Sequence, residues 1–101
     1  MILGRVVGTV VSTRKEEALT GIKLLIVREL DTEMKLKSNF VVAADAIGAG
    51  VEEVVLYATG SSARLTDVTR DKPVDAVIMG IVDTLEIGGN ELYQKSLAKR
   101  V

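Results

Sequence analysis

Residues 43–64 constrain this chain more than any other stretch. They read Ala-Ala-Asp-Ala-Ile-Gly-Ala-Gly-Val-Glu-Glu-Val-Val-Leu-Tyr-Ala-Thr-Gly-Ser-Ser-Ala-Arg. A small-residue turn over residues 45–50 runs into a β-type segment over residues 53–59, and a second small-residue turn follows over residues 60–63. Small residues let backbone approach backbone closely, and Gly48, Gly50 and Gly60 tolerate a positive φ. Read as residues alone, the two turns fit two descriptions. They are ordinary strand connections, or they are loops packed tightly against something, such as another copy of the chain.

The remainder of the chain points the same way. Its hydrophobic content is 48%, with only Phe40, Tyr57 and Tyr93 aromatic, so the apolar residues are mostly Val, Ile, Leu and Ala. Aliphatic, β-branched composition suits strands and close packing. For 101 residues, one domain over residues 1–101 is the natural expectation. So much aliphatic surface in so short a chain suggests that some is buried between subunits.

Residues 3–13 alternate Val and Thr with Gly and predict a first strand, with Gly4 and Gly8 on one face marking a bend, a bulge or a close neighbour. Residues 14–21 form a charged connector, and residues 22–30 form a second strand, buried on both faces for part of its length. Residues 31–39 are polar and read as a hairpin connection, residues 40–44 as a third strand, and residues 54–59 as a fourth. Asp45 has an Asx-type role open to it at the head of its turn. Ser61 or Ser62 is placed to cap a short helix reaching about Val68, with Pro73 barring helix beyond it. Residues 74–87 read as one long β region, Gly88-Gly89-Asn90 as a hairpin turn, and residues 91–94 as its returning strand. Residues 95–101 predict a loose or weakly helical tail. Five or six Gly-bent strands with one short helix describe an all-β domain, a small barrel of oligonucleotide/oligosaccharide-binding (OB) type.

Composition argues against most chemistry. The chain has no Cys and no His, which removes thiol and imidazole catalysis and most transition-metal sites. No nucleophile elbow, dinucleotide fingerprint or phosphate loop is present. Glu52 and Glu53 are adjacent and point to opposite faces of a strand, and Asp75 and Asp83, eight apart, share a face of a regular strand but lie too far apart along it to act on one bond. The expectation is therefore no enzyme, no cofactor and no metal. A net charge of −1 with few aromatics gives neither the cationic footprint nor the stacking residues of a nucleic-acid binder. No apolar run approaches a membrane span, so a soluble cytoplasmic protein is expected.

Ordered blocks then carry a resemblance. Residues 3–13 (Leu-Gly-Arg-Val-Val-Gly-Thr-Val-Val-Ser-Thr) resemble the opening of the EutN/CcmL family, the bacterial microcompartment vertex proteins. So do Leu24-Leu25-Ile26-Val27, Ala44-Asp45-Ala46-Ile47-Gly48-Ala49-Gly50-Val51, Glu53-Val54-Val55-Leu56, Gly60-Ser61-Ser62-Ala63-Arg64, Pro73-Val74-Asp75-Ala76 and Gly80-Ile81-Val82-Asp83. The blocks keep family order up to about Ile87, and residues 87–101 are less typical. The resemblance implies an OB-like barrel that assembles as a homopentamer at the five-fold vertices of a shell of hexameric tiles. Such shells include the carboxysome and those of the ethanolamine, propanediol and glycyl-radical pathways. A flat hexagonal layer closes only where five-fold points are inserted, and a ring of five needs a heterologous interface. The resemblance also implies that Gly48, Ala49 and Gly50, with the adjoining Glu52 and Glu53, meet neighbouring subunits near the five-fold axis. By extension it implies the same for Gly60, Ser61, Ser62, Ala63 and Arg64.

Glu52 departs from the family, which usually has Gly there. If that position takes a positive φ, Glu costs about 1 kcal/mol or more. The competing reading of the chain is an OB-type binding module for nucleic acid or a small ligand, which retention on a polyanion column at physiological salt would favour.

Overall fold

The computed structural model describes residues 1–98. Seven strands form in chain order: β1 (Ile2–Val10), β2 (Leu24–Leu30), β3 (Leu36–Asp45), β4 (Val54–Thr59), β5 (Ala76–Ile81), β6 (Thr84–Ile87) and β7 (Asn90–Gln94). The first five close into a barrel in the order β1-β2-β3-β5-β4, and β6 and β7 form a separate two-stranded sheet. Neighbours in the barrel are antiparallel except β3 and β5, which are parallel over Ala44↔Val77 and Asp45↔Ile78. This is the five-stranded, OB-like β-barrel expected from the sequence.

Alternation builds the core. Val6, Leu25, Val27, Ala43, Val55, Tyr57, Ala76 and Ile78 point inward and are almost wholly buried. Tyr57 is the largest of the fully buried side chains, and burial pushes its phenol pKa up. Its ring requires Gly4 opposite. A Cβ there would lie 2.4 Å from Val27 Cγ1 and 2.8 Å from Tyr57 Cε1. A second, smaller cluster of Ala44, Ala58, Ala63 and Val77 lies outside the barrel wall.

Four sequence expectations need correction. Gly4 and Gly8 do not share a face. The β1–β2 register shifts between Val6 and Gly8, and the extra residue reverses the inward parity. Gly4 therefore faces the core, whereas a Cβ on Gly8 would meet only Ile26. The third strand starts at Leu36 rather than Phe40. Its first residues are exposed on both sides, so no hydrophobic alternation announces them.

The predicted helix from Ser61 or Ser62 to Val68 is only a 3-10 turn, Gly60–Arg64, and no side chain caps it. The hydroxyl of buried Thr69 donates to the Ala63 carbonyl, and Thr69 N–H donates to Thr66 Oγ1. These side-chain bonds give the backbone an alternative to continuing as helix. The long β region over residues 74–87 breaks after Ile81, where the chain leaves the barrel to enter the β6–β7 hairpin. Asp75 and Asp83 accordingly flank β5 instead of sharing one of its faces. Of the predicted tail, Lys95–Ala98 form one helical turn, and residues 99–101 lie outside the described residues.

Candidate assembly site

Asp45 ends β3 and organises the turn that follows. Its side chain is nearly buried, and Oδ1 accepts the N–H groups of Ile47 and Gly48, both at 3.1 Å. This is the Asx-type role expected from its position. Lys23 Nζ sits 3.5 Å from Asp45 Oδ2 and donates to the Ala49 carbonyl at 2.8 Å. Ala49 is itself fully buried against the barrel core. The loop is thus held from both sides of its midpoint. Gly48 takes φ +79°, which its missing Cβ permits.

The second half of the loop is fastened to β1. Val6 N–H donates to the Glu53 carbonyl at 3.0 Å, and Glu52 N–H donates to the Val6 carbonyl at 2.7 Å. Gly50 N–H donates to the Glu53 carboxylate at 2.6 Å. The other Glu53 oxygen holds Lys95 Nζ at 2.8 Å, and this bond keeps the Lys95 ammonium above its ordinary pKa. Glu52 takes φ +78°, so a side chain stands in the left-handed region that favours Gly. Glu52 and Glu53 both precede β4. They lie in the turn, not on opposite faces of a strand as expected.

The second turn opens at Gly60, which takes φ +69° and donates its N–H to the Asp75 carbonyl at 2.8 Å. Ser61, Ser62 and Arg64 are exposed, while Ala63 is buried against Ala44, Ala58 and Val77. Ser61 and Arg64 line an open groove of about 710 Å³ with Glu16, Leu65, Asp71 and Lys72. Leu65 is 76% exposed on its rim.

The structure does not bring the two predicted groups together. One turn enters β4 and the other leaves it, so six residues of strand, about 20 Å, separate them. They are two patches, one around Gly48, Ala49, Gly50, Glu52 and Glu53 and one around Gly60, Ser61, Ser62, Ala63 and Arg64. Sequence reading singled out Glu53 without its partner Lys95, 42 positions later, because only the fold makes that pairing visible.

Comparison with known proteins adds identity. A family described as ethanolamine utilisation protein EutN/carboxysome matches residues 1–83. The carboxysome shell vertex protein CcmL of Synechocystis sp. is 47% identical, covering 94% of this chain and 95% of the relative. Among solved structures, CcmL of Gloeobacter violaceus superposes with a TM-score of 0.91 at 43% identity, over 95% of this chain and 99% of that one. The GrpN pentameric microcompartment shell protein from Rhodospirillum rubrum superposes with a TM-score of 0.78 at 45% identity, over 86% of this chain and all of that one.

Proposed function

The chain belongs to the EutN/CcmL family, and on that footing we propose that it is a structural vertex protein of a bacterial microcompartment shell, with five copies closed into a ring at each five-fold point. The observation that carries this reading is near full-length similarity, 47% over 94% of the chain, to a carboxysome shell vertex protein. The same barrel in a relative described as pentameric supports the stoichiometry. The role is structural rather than enzymatic, and it places the protein in a shell within the cytoplasm. The OB-type binding module is the weaker reading, because the relatives that match nearly the whole chain are shell vertex proteins.

The two turn patches suit such a ring. In a heterologous contact one patch meets a different patch on the next copy. The two turns lie at opposite ends of β4, and both are rigid by virtue of their internal bonds. We assign Gly48, Ala49, Gly50, Glu52 and Glu53 to the side nearer the five-fold axis, and the turn from Gly60 to Arg64 to the subunit seam. The outer rim then meets hexameric shell tiles.

Native mass spectrometry of the purified chain at near-physiological salt tests the ring. A dominant pentamer is expected at micromolar concentration, and a monomer or dimer there would sink the assembly.

A further inference from the structure

Two cross-strand pairs of like charge stand on the surface, and they have opposite signs. Arg5 of β1 lies directly opposite Arg28 of β2, and Arg28 lies opposite Phe40 of β3. All three share the outer face of the barrel, where the Arg28 guanidinium covers the Phe40 ring at 5.1 Å. Beside them Val42 is 50% exposed and Phe40 56% exposed. Among the described residues no carboxylate pairs with either arginine, and Arg5 Nε is buried without an acceptor. The second pair is Glu86 opposite Glu91 on the β6–β7 hairpin, both exposed. Their chain neighbours Ile87 and Leu92 are exposed apolar residues, with Ile87 and its partner Asn90 facing the other side of the ribbon. Like charges set directly across from each other weaken a strand pair unless something else neutralises them.

The topology sets these two surfaces apart. In the closed order β1-β2-β3-β5-β4, the strands β2 and β3 that carry Arg28, Phe40 and Val42 lie two strands from β4, whereas Arg5 on β1 borders it, opposite Val54. The hairpin leaves the barrel beside β4, where Val82 N–H donates to the Val54 carbonyl at 2.8 Å. It barely touches the barrel strands. Its base is nevertheless fixed, by Lys95 N–H donating to the Asp83 carbonyl at 2.8 Å and by the Lys95–Glu53 ion pair. A two-stranded hairpin is marginal in water and needs a surface to pack on. Each copy thus presents a pre-aimed acidic, apolar-tipped arm on one side and a basic, apolar face on the other. That arrangement is head-to-tail by construction.

We propose that the β6–β7 hairpin of one copy seats on the outer face formed by Arg5, Arg28, Phe40 and Val42 of the next, with Glu86 and Glu91 meeting the two guanidiniums. This deepens the ring assembly and rests on it. Docking relieves both like-charge pairs at once, gives the hairpin its missing packing surface and covers Phe40. Opposite charges facing each other across the seam also set the direction of the ring.

Charge reversal tests the contact by native mass spectrometry across a dilution series. Glu86→Lys with Glu91→Lys is expected to raise the concentration needed for half-assembly at least tenfold. Adding Arg5→Glu with Arg28→Glu is expected to restore it. If the unaltered chain forms no pentamer, the ring itself fails. If it forms one and the hairpin reversal shifts half-assembly by less than twofold, the docking is overturned and the ring stands. Should the arginine variants not fold, cross-linking decides, because the chain has no cysteine of its own. Phe40→Cys with Leu92→Cys, treated with a short bis-maleimide, is expected to give a ladder up to five subunits. Products confined to single chains within an intact pentamer would refute the contact.

Discussion

The loop over residues 45–53 and the β6–β7 hairpin are both short connections outside the regular barrel, yet they are held in opposite ways. In the loop, carboxylates or β1 carbonyls accept the backbone N–H groups of Ile47, Gly48, Gly50 and Glu52, and Ala49 is buried in the core. In the hairpin, bonds concentrate at the base, and the distal residues face solvent. Stability is therefore uneven across the subunit. The loop belongs to the cooperative unit of the barrel, while the hairpin is free to open locally. For the proposed ring the two are complementary, one a preformed surface and the other a segment that gains order on docking.

That difference breaks most readily at Asp45. Asp45→Ala removes a nearly buried acceptor for two N–H groups and leaves the half-exposed Lys23 without its carboxylate. A loss of about 2–3 kcal/mol in unfolding free energy is expected. Denaturation of the variant within about 0.5 kcal/mol of the original would mean that the loop is not part of the barrel's cooperative unit.

Glu52→Gly acts in the opposite direction. It relieves a side chain at φ +78° without touching the N–H bond to Val6, and a gain of about 1 kcal/mol is expected. An unchanged or lower thermal midpoint would show that the Glu52 side chain contributes something the backbone strain conceals.

The smallest expected effect sharpens the contrast. Lys95→Gln unties the hairpin base from Glu53 while leaving the Glu53 bond to Gly50. Amide exchange is expected to quicken at Glu86 and Tyr93 and to stay unchanged at Gly48, with little movement of the thermal midpoint. pH provides a parallel route. The folded pKa of Lys95 lies above the ordinary 10.5, so the bond contributes fully below that value and is lost as pH rises through the folded pKa. A Lys95 Cε titration midpoint at or below 10.5 by NMR would show that the ion pair is absent in solution.

Sequence and structure agree best where one face of an element is buried. The existence of β1, β2 and β4 as strands and the Asx role of Asp45 were legible because aliphatic, β-branched runs and turn chemistry are local signals. Gly4 advertised a close neighbour, and both Val27 and Tyr57 stand where its Cβ would be. The start of β3 was hidden because Lys37, Ser38 and Asn39 belong to a strand exposed on both sides. The bulge at Val7 was hidden in its consequence, since only the partner strand's register reveals which glycine faces inward. Within the candidate site, the two turns were legible as small-residue punctuation but their separation across β4 was not. Nor were the Arg5–Arg28 and Glu86–Glu91 pairs, which join residues far apart in sequence or offset by a hairpin irregularity.

Closure of the barrel has a consequence for solubility. A sheet that meets itself keeps little free edge on which another molecule could template a fibre, although β3 meets β5 only at Ala44 and Asp45. The open edges among the described strands belong to the first part of β3 and to β6 and β7, four and five residues long. The paired carboxylates of Glu86 and Glu91 there repel a third strand carrying the same charge. A molecule made to crowd against its own kind is thereby steered away from runaway β-aggregation, and its growth stops at a closed, countable assembly.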